Sequence, residues 1–180
     1  MVYVFLAQGF EELEAIAPID LLTRAGIKVL TLAVGGSLKV RGSHGIEIVA
    51  DGFASDFQDC RDVELIILPG GMPGTVNLNE SEEVQRLISS ALEGDTRIAA
   101  ICAAPSVLGL RGLLEGKRAV CYPGFENKLN GATVCDERVV TDGRFTTAKG
   151  AGAAVEFGLE LVSLLRGADV AEKIKNAIIG

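Results

Sequence analysis

The chain has 180 residues, which is the length of a single domain with its own hydrophobic core. Its formal net charge is −7 and only 5% of its residues are aromatic, so it lacks the basic footprint and the stacking platforms of nucleic-acid binding. The N-terminal residues carry no basic segment and only a short apolar run. We therefore expect neither a signal peptide nor a membrane span, and we place the protein in the cytoplasm.

Short β-type runs alternate with amphipathic segments along the first half of the chain. Ser81 stands where it can cap the helix that follows it. The stretch from Leu38 to Ala50 alternates loosely around two glycines and predicts a hairpin-like excursion. The predicted strands are Val2–Ala7, Lys28–Val34 and Glu64–Leu68, and the predicted helices are Glu11–Ala25 and one that runs from Ser81 through Leu92.

The second half continues this alternation. Asp142-Gly143 lies between two short β-type runs, which is typical of a two-residue hairpin. Strands that alternate with helices predict an α/β fold, with a mostly parallel sheet covered on both faces. The predicted strands are Ile98–Cys102, a short one around Val120, Val139–Thr141 and Phe145–Thr147, and the predicted helices run from the residues after Cys102 to about Leu114, over Gly150–Arg166 and over Val170–Ile179.

The stretch RIAAICAAP, Arg97–Pro105, is the main candidate for chemistry, because a parallel sheet binds its ligands beyond the carboxyl ends of the strands. Cys102 follows an apolar run and precedes small residues and a proline that begin a helix. Such a corner is the thiol counterpart of a nucleophile elbow, and the N–H groups of the next turn favour a thiolate. The alternative interpretation is a buried structural cysteine.

Three acids, Glu11, Glu12 and Glu14, follow the first predicted strand at the sheet edge where Cys102 should emerge. Acids in the first turn of a helix interact favourably with its dipole, which is a sufficient explanation for at least two of them. A carboxyl group next to a thiolate would instead have a raised pKa and would hydrogen-bond the sulfur through its proton. That pairing predicts a cysteine of low pKa beside a neutral acid that moves protons.

The other candidates are a glycine turn, the single histidine and three further cysteines. In the turn Pro69–Gly74 the glycines let backbone N–H groups approach a ligand, although a tight strand-to-helix turn explains them equally well. His44 is either an ordinary surface or interface residue or a partner of the predicted nucleophile. Cys60, Cys121 and Cys135 form no C-x-x-C pair and no zinc-like spacing, so we expect reduced structural thiols and no metal site.

The order of these motifs resembles the DJ-1/PfpI superfamily, and most closely its DJ-1/ThiJ (YajL-like) branch. The matching features are E-E-x-E in the first helix, L-P-G-G, A-A-I-C-A-A-P and a glycine turn before the long C-terminal helix. The likeness extends from Val2 to about Ile179, which predicts a single domain over residues 1–180. It implies a flavodoxin-like three-layer sandwich similar to class I glutamine amidotransferases, a homodimer, and no cofactor.

The resemblance also implies roles for individual residues. Cys102 matches the reactive, oxidation-prone nucleophile, and Glu14 matches the protonated glutamate that hydrogen-bonds it. The backbone N–H of Gly71, together with that of Cys102 or Ala103, matches a small anion pocket. Glu11 matches an acid near the dimer interface.

The chain departs from the family pattern at three positions. Ala103 stands where the protease branch has a histidine, so we expect no peptidase activity. Tyr122, before Pro123, stands where DJ-1 itself has a histidine, and it is an accessory candidate. His44 replaces an arginine that approaches the site of the dimer partner, so it would contribute to the neighbouring site instead.

The function implied is a cofactor-free cysteine enzyme of the glyoxalase III or protein deglycase type, acting on methylglyoxal or its glycated adducts in stress protection. Thiolate attack would form a hemithioacetal, Glu14 would move the proton, and hydrolysis would release a hydroxy acid. The alternative is a redox-responsive sensor or chaperone of oxidative stress, in which Cys102 is oxidised to sulfenic or sulfinic acid. A thiazole-biosynthesis role, suggested by the ThiJ name, lacks a supporting phosphate-binding motif.

Overall fold

The computed structural model describes residues 1–179, apart from the side chain of Ile179, and places a seven-stranded sheet between two layers of helices. The strands are β1 (Val2–Ala7), β2 (Val29–Val34), β3 (Lys39–Arg41), β4 (Glu47–Val49), β5 (Gly52–Phe53), β6 (Leu65–Leu68), β7 (Arg97–Ile101), β8 (Arg118–Ala119), β9 (Thr133–Val134), β10 (Val139–Asp142) and β11 (Phe145–Ala148). The helices are α1 (Glu12–Arg24), α2 (Gly74–Glu80), α3 (Glu82–Glu93), α4 (Pro105–Gly109), α5 (Ala154–Arg166) and α6 (Ala168–Ile179).

The main sheet has the order β10-β11-β7-β6-β1-β2-β5, and every pairing in it is parallel except that of the edge strand β10 with β11. Val2 of β1 lies opposite both Val29 and Leu65, so β1 has a paired strand on each side. Every residue of β1 is buried, as expected of a strand that is covered on both faces. The carboxyl ends of β1, β6 and β7 therefore meet at one edge of the sheet.

Side chains of β1 alternate between two apolar layers, which confirms the predicted three-layer sandwich. Phe5 points into the layer that is closed by α3, whose Leu87 is fully buried. Leu6 points into the opposite layer, where Leu22 of α1 and Phe157 of α5 are fully buried. No helix in residues 1–179 is both long and apolar enough to span a bilayer.

Most predicted elements are present within one or two residues of their expected bounds. Helix α1 begins at Glu12, one residue later than predicted, because Glu11 is its N-cap and accepts the Glu14 N–H at 2.8 Å. Ser81 caps α3 as predicted, since its hydroxyl accepts the Val84 N–H at 3.2 Å. Both predicted hairpins are confirmed as the antiparallel pairs β3–β4 and β10–β11.

Three predictions along the chain are corrected. The helix after Cys102 ends at Gly109, not at Leu114. The segment that contains Lys128 lies against this end, since a Cβ at Gly109 would be only 2.3 Å from the Lys128 carbonyl oxygen. Helix α5 starts at Ala154 rather than Gly150, because a 3-10 turn precedes it. The strand expected around Val120 covers Arg118–Ala119 instead and pairs in parallel with β9, which was not predicted. Helix α2 was also missed.

Candidate functional site

Cys102 lies directly after β7, at the carboxyl edge of the sheet. Its φ of 66° makes it the one non-glycine residue with a left-handed backbone in the described part of the chain. Its N–H donates to the Ala148 carbonyl at 2.9 Å, and its own carbonyl accepts the Tyr122 N–H at 2.7 Å. Because left-handed backbone is unfavourable for a residue with a Cβ, these contacts must hold it, and such strain is concentrated at functional sites.

Glu14 of α1 is the buried acid of the site. Its side chain is fully buried, and Oε2 accepts the Gly70 N–H at 2.9 Å. Its other oxygen, Oε1, is buried without a hydrogen-bond partner among the described residues. Burial raises the pKa of Glu14 to about 7, while the neighbouring Cys102 thiol and the Gly70 N–H offset part of that rise. The pKa of this carboxyl is raised as predicted, but burial is the main cause and the contact with Cys102 acts in the opposite direction.

The thiol of Cys102 has a raised pKa, which makes the prediction of a low value wrong. Burial, followed by the negative charge of Glu14, raises the pKa of this thiol to about 12. Hydrogen bonds from the backbone N–H groups of Gly71 and Ala103 to the sulfur act in the opposite direction but are outweighed. The turn residues alone predict a low thiol pKa, because the apolar layer that surrounds the sulfur is formed by distant parts of the chain.

Cys102 and Glu14 interact strongly enough to titrate as a pair. Burial raises the pKa of both groups, and the negative charge of Glu14 raises that of the thiol further, so the pair favours one negative charge over two. In the singly charged state the remaining proton lies on the Cys102 sulfur or on the Glu14 carboxyl group. The N–H groups of Gly71 and Ala103 stabilise the thiolate form, and the N–H of Gly70 stabilises the carboxylate form. The arrangement is thus suited to moving one proton within the site.

Two adjacent glycines allow these groups to meet. A Cβ at Gly70 would lie 2.6 Å from Oε2 of Glu14 and 2.7 Å from Cβ of Cys102. Gly71 has a φ of 89°, and a Cβ there would lie 2.5 Å from the Glu11 backbone nitrogen. Side chains would therefore push apart the carboxyl group, the thiol and the start of α1. The glycines of this turn have a steric role at the site itself.

His44 contacts the acids of α1 and not the thiol. Its Nδ1 lies 2.9 Å from Oε2 of Glu12 and 3.8 Å from Oε1 of Glu11, and its side chain is 70% exposed. Oε1 of Glu12 accepts the N–H groups of His44 at 2.9 Å and of Ile46 at 3.3 Å. Glu12 therefore fastens the β3–β4 hairpin to α1. The sequence alone does not reveal this role, because a favourable interaction with the helix dipole is a sufficient reason for at least two of the three neighbouring acids.

Glu11, Glu12 and His44 are also the one group in residues 1–179 that could hold a metal ion, with their ligand atoms within 4.8 Å of one another. The Glu12 carboxylate is already engaged by two backbone N–H groups and by the imidazole. The hydrogen bond to the Glu12 carboxylate and the negative charge of that carboxylate raise the pKa of His44, which favours an ion pair. We therefore assign the three side chains to anchoring the hairpin.

Tyr122 stands at the mouth of the site. A Cβ at Gly150 would lie 3.3 Å from Cδ2 of Tyr122 and 3.8 Å from Oε1 of Glu14. The ring and the unpartnered oxygen therefore flank the same small space above Gly150. A cavity of about 960 Å³ lies elsewhere, and Cys60, Thr96 and Arg97 line it at the amino ends of the strands. It belongs to the opposite edge of the sheet from Cys102.

The DJ-1/PfpI family matches residues 1–164. The chain belongs to the DJ-1/PfpI family. Glutathione-independent glyoxalase DJR-1.2 of Caenorhabditis elegans is 35% identical over 159 residues, which are 87% of this chain and 83% of that protein. Protein DJ-1 homologs A and B of Arabidopsis thaliana are each 39% identical over 99% of this chain, which spans only 46% and 41% of their length.

A solved structure confirms the fold assignment. A cysteine-to-alanine mutant of a DJ-1 superfamily protein from Salmonella typhimurium matches with a TM-score of 0.94 and 35% sequence identity. The match covers 99% of this chain and 97% of that one. The flavodoxin-like α/β architecture and the DJ-1/ThiJ resemblance predicted from the motifs are thereby confirmed.

Proposed function

We propose that this chain is a cofactor-free, cysteine-dependent enzyme that converts reactive 2-oxoaldehydes such as methylglyoxal into 2-hydroxy acids and so protects against carbonyl stress. The observation that carries the proposal is the buried Glu14 beside Cys102, with a pKa of about 7 and an unpartnered Oε1. A carboxyl group that titrates near neutral pH can both give and take a proton during turnover. The C. elegans relative named as a glyoxalase supports the same chemistry.

The first step is the attack of the sulfur on the aldehyde carbon. The thiol proton passes to Oε1 of Glu14, and the thiolate forms a C–S bond while the carbonyl π electrons move to oxygen. The N–H groups of Gly71 and Ala103 stabilise the developing oxyanion. Glu14 then donates its proton to that oxygen, which yields a neutral hemithioacetal and leaves Glu14 ionised.

The second step moves a hydrogen between the two substrate carbons. The Glu14 carboxylate removes the proton from the former aldehyde carbon, and the electron pair forms an enediolate with the neighbouring carbonyl. Glu14 returns that proton to the second carbon, and the hemithioacetal hydroxyl proton moves to the second oxygen, which gives a thioester of a 2-hydroxy acid and leaves Glu14 ionised. The aldehyde carbon is thereby oxidised and its neighbour reduced, so no external oxidant is consumed. Water then hydrolyses the thioester and restores the Cys102 thiol.

Glycated adducts enter the same sequence. In a hemiaminal or hemithioacetal of methylglyoxal, the former aldehyde carbon is bound to an amine or a thiol. Attack by Cys102 displaces that amine or thiol, which takes a proton and leaves. The enzyme-bound hemithioacetal is the same as before, so one site serves the glyoxalase and the deglycase reactions. Ala103 offers no histidine next to the nucleophile, and we propose no peptidase activity.

The test is lactate formation from methylglyoxal in glutathione-free buffer. Cys102→Ala should abolish turnover, and Glu14→Gln should reduce it at least about a hundredfold, which is the usual scale of general acid–base catalysis. Cys135→Ala and Glu83→Gln are the matched controls, because both alter residues outside the site, and they should retain wild-type rates. Full turnover by Cys102→Ala would disprove the proposal.

A redox-responsive role for the same cysteine is the second candidate. Cys102 and Cys135 are half-buried, whereas Cys60 and Cys121 are buried. The N–H groups beside the sulfur would also accommodate sulfinate oxygens. Peroxide titration read by intact mass separates the two functions. Selective gain of two oxygens at Cys102, with negligible aldehyde turnover, would favour the sensor.

We also propose that the chain forms a homodimer through α1 and the β3–β4 hairpin. Leu13 and Ile16 of α1 and Ile46 and Val49 of the hairpin are 61%, 44%, 60% and 65% exposed. The Glu12 contacts hold the hairpin against α1, and exposed apolar residues that cluster mark sites of protein–protein contact. Light scattering should give twice the monomer mass, and Val49→Asp should halve it. The four free cysteines fit a reducing compartment, which we take to be the cytoplasm.

A further inference from the structure

Tyr122 is held rigidly at the site although its side chain is exposed. Its N–H donates to the Cys102 carbonyl at 2.7 Å, and its own carbonyl accepts the Phe125 N–H at 3.1 Å. These two bonds tie its backbone directly to the residue that carries the nucleophile. The backbone of Tyr122 therefore has a defined place relative to Cys102, and the residue as a whole is 51% exposed.

The Tyr122 ring lies close to Glu14, the proposed catalytic acid. Cδ2 of Tyr122 and Oε1 of Glu14 lie 3.3 Å and 3.8 Å from the position that a Cβ of Gly150 would occupy. Both atoms therefore lie against Gly150, which places the Tyr122 ring close to the acid. A substrate that is bound at Cys102 with its carbonyl oxygen directed toward Glu14 would thus have its remaining atoms beside the Tyr122 ring.

Tyr122 is also exceptional within the chain. Aromatic residues are only 5% of the sequence, and no tryptophan is present. Several large apolar side chains are exposed in the described part of the chain, and Tyr122 is the one aromatic residue of this group. The phenol hydroxyl makes no hydrogen bond within residues 1–179, so no polar partner explains the ring's position. An exposed, backbone-anchored ring beside an active thiol is suited to stacking against a ligand.

We propose that Tyr122 is a specificity-determining residue that favours 2-oxoaldehydes bearing a planar aromatic group, such as phenylglyoxal, over methylglyoxal. The inference rests on the proposed function, because the reacting carbon must lie at the Cys102 sulfur. With the aldehyde carbon there and its oxygen near Glu14, the substituent on the second carbon extends toward the ring. A methyl group offers little contact area, whereas a phenyl group stacks against the Tyr122 face.

The kinetic test compares the kcat/KM values for phenylglyoxal and methylglyoxal. In the wild type this ratio should favour phenylglyoxal, and Tyr122→Leu should lower the ratio about threefold to tenfold, the usual scale of an aromatic pair. Tyr122→Phe should keep the wild-type ratio, because it retains the ring. Val134→Ala, which truncates a 44% exposed side chain of β9, is the control for a general surface effect. An unchanged ratio in Tyr122→Leu overturns the inference.

A binding measurement separates this inference from the proposed function. Mandelate and lactate, the two product acids, are titrated by calorimetry into the wild type and Tyr122→Leu. Mandelate should bind the wild type more tightly than lactate does, and Tyr122→Leu should lose that advantage. Equal binding of the two acids by both proteins overturns the inference even if methylglyoxal is turned over. Turnover of neither aldehyde, with the mandelate advantage intact, refutes the proposed function alone.

Discussion

Replacing Glu14 by glutamine should make the protein more stable than the wild type at pH 8 and should remove a pH dependence of its unfolding. The folded protein holds this carboxyl at a pKa of about 7, against an ordinary value of 4.5. Between these values the folded chain keeps a proton that the unfolded chain has released. Stability therefore falls as pH rises through this window and stays at the lower value above pH 7.

The size of the effect follows from the pKa rise. Each unit is equivalent to about 1.4 kcal/mol, so the full rise corresponds to about 3 kcal/mol. Between pH 5 and pH 8 the wild type should lose about 2.5 kcal/mol of unfolding free energy through Glu14 alone. Glutamine has nearly the same volume and retains an oxygen that can accept the Gly70 N–H, so packing should be preserved.

The assay is urea unfolding of the wild type and Glu14→Gln at pH 5, 6, 7 and 8 under reducing conditions. The free-energy difference between the two proteins should grow by about 2.5 kcal/mol in favour of the variant across this range. Glu83→Gln is the control, because a hydrogen bond from the Ser81 hydroxyl lowers the pKa of Glu83, away from this pH range and opposite to the shift of Glu14. A pH-independent difference for Glu14→Gln would refute the reasoning.

Two further predictions concern packing and helix capping. Gly70→Ala should destabilise the protein by about 1–3 kcal/mol and reduce lactate formation, because the new Cβ would lie 2.6 Å from Oε2 of Glu14. Urea unfolding of Gly36→Ala, where a Cβ meets no atom within 4 Å, gives the comparison, and equal losses would contradict the steric argument. Ser81→Ala should lower stability by about 1 kcal/mol in thermal unfolding without changing kcat, since it removes the acceptor of the Val84 N–H. A loss of kcat in Ser81→Ala would mean that α3 affects the site.

The predicted sheet and its major helices are confirmed because their signals are strong and local. Val2–Ala7 is a continuous apolar run, and the structure buries it on both faces of the sheet. The hydroxyl of Ser81 and the turn after Asp142, whose two loop residues are Gly143 and Arg144, mark boundaries by chemistry that acts within a few residues. The meeting of Cys102 and Glu14 at one edge also follows from parallel topology, since both residues come after strands of the central sheet.

The missed elements depend on contacts between distant segments. Helix α2, Gly74–Glu80, has glycine, threonine and asparagine in place of strong helix formers, and its buried Leu78 packs into the core. The early end of α4 is associated with Lys128, whose carbonyl oxygen lies close to Gly109. Neither contact can be seen in a window of neighbouring residues. Tertiary packing overrides propensity in both cases.

The error in the thiol pKa has the same origin. The N–H groups of Gly71 and Ala103 act on the Cys102 sulfur as the turn predicted. Their effect is smaller than that of burial and of the Glu14 charge, and both of those depend on the assembled core. The identities of the candidate groups were accessible from the motifs, whereas the balance of their electrostatic effects required the packed structure.

The alkylation rate of Cys102, measured against pH in the wild type and in Glu14→Gln, tests most directly whether thiol and carboxyl share a proton. Iodoacetamide labelling read by peptide mass follows this thiol separately from the other three. The wild-type profile should rise near pH 7, where the pair loses its first proton, and this inflection should be absent from Glu14→Gln. Identical profiles for the two proteins would contradict the coupled pair on which the proposed chemistry depends.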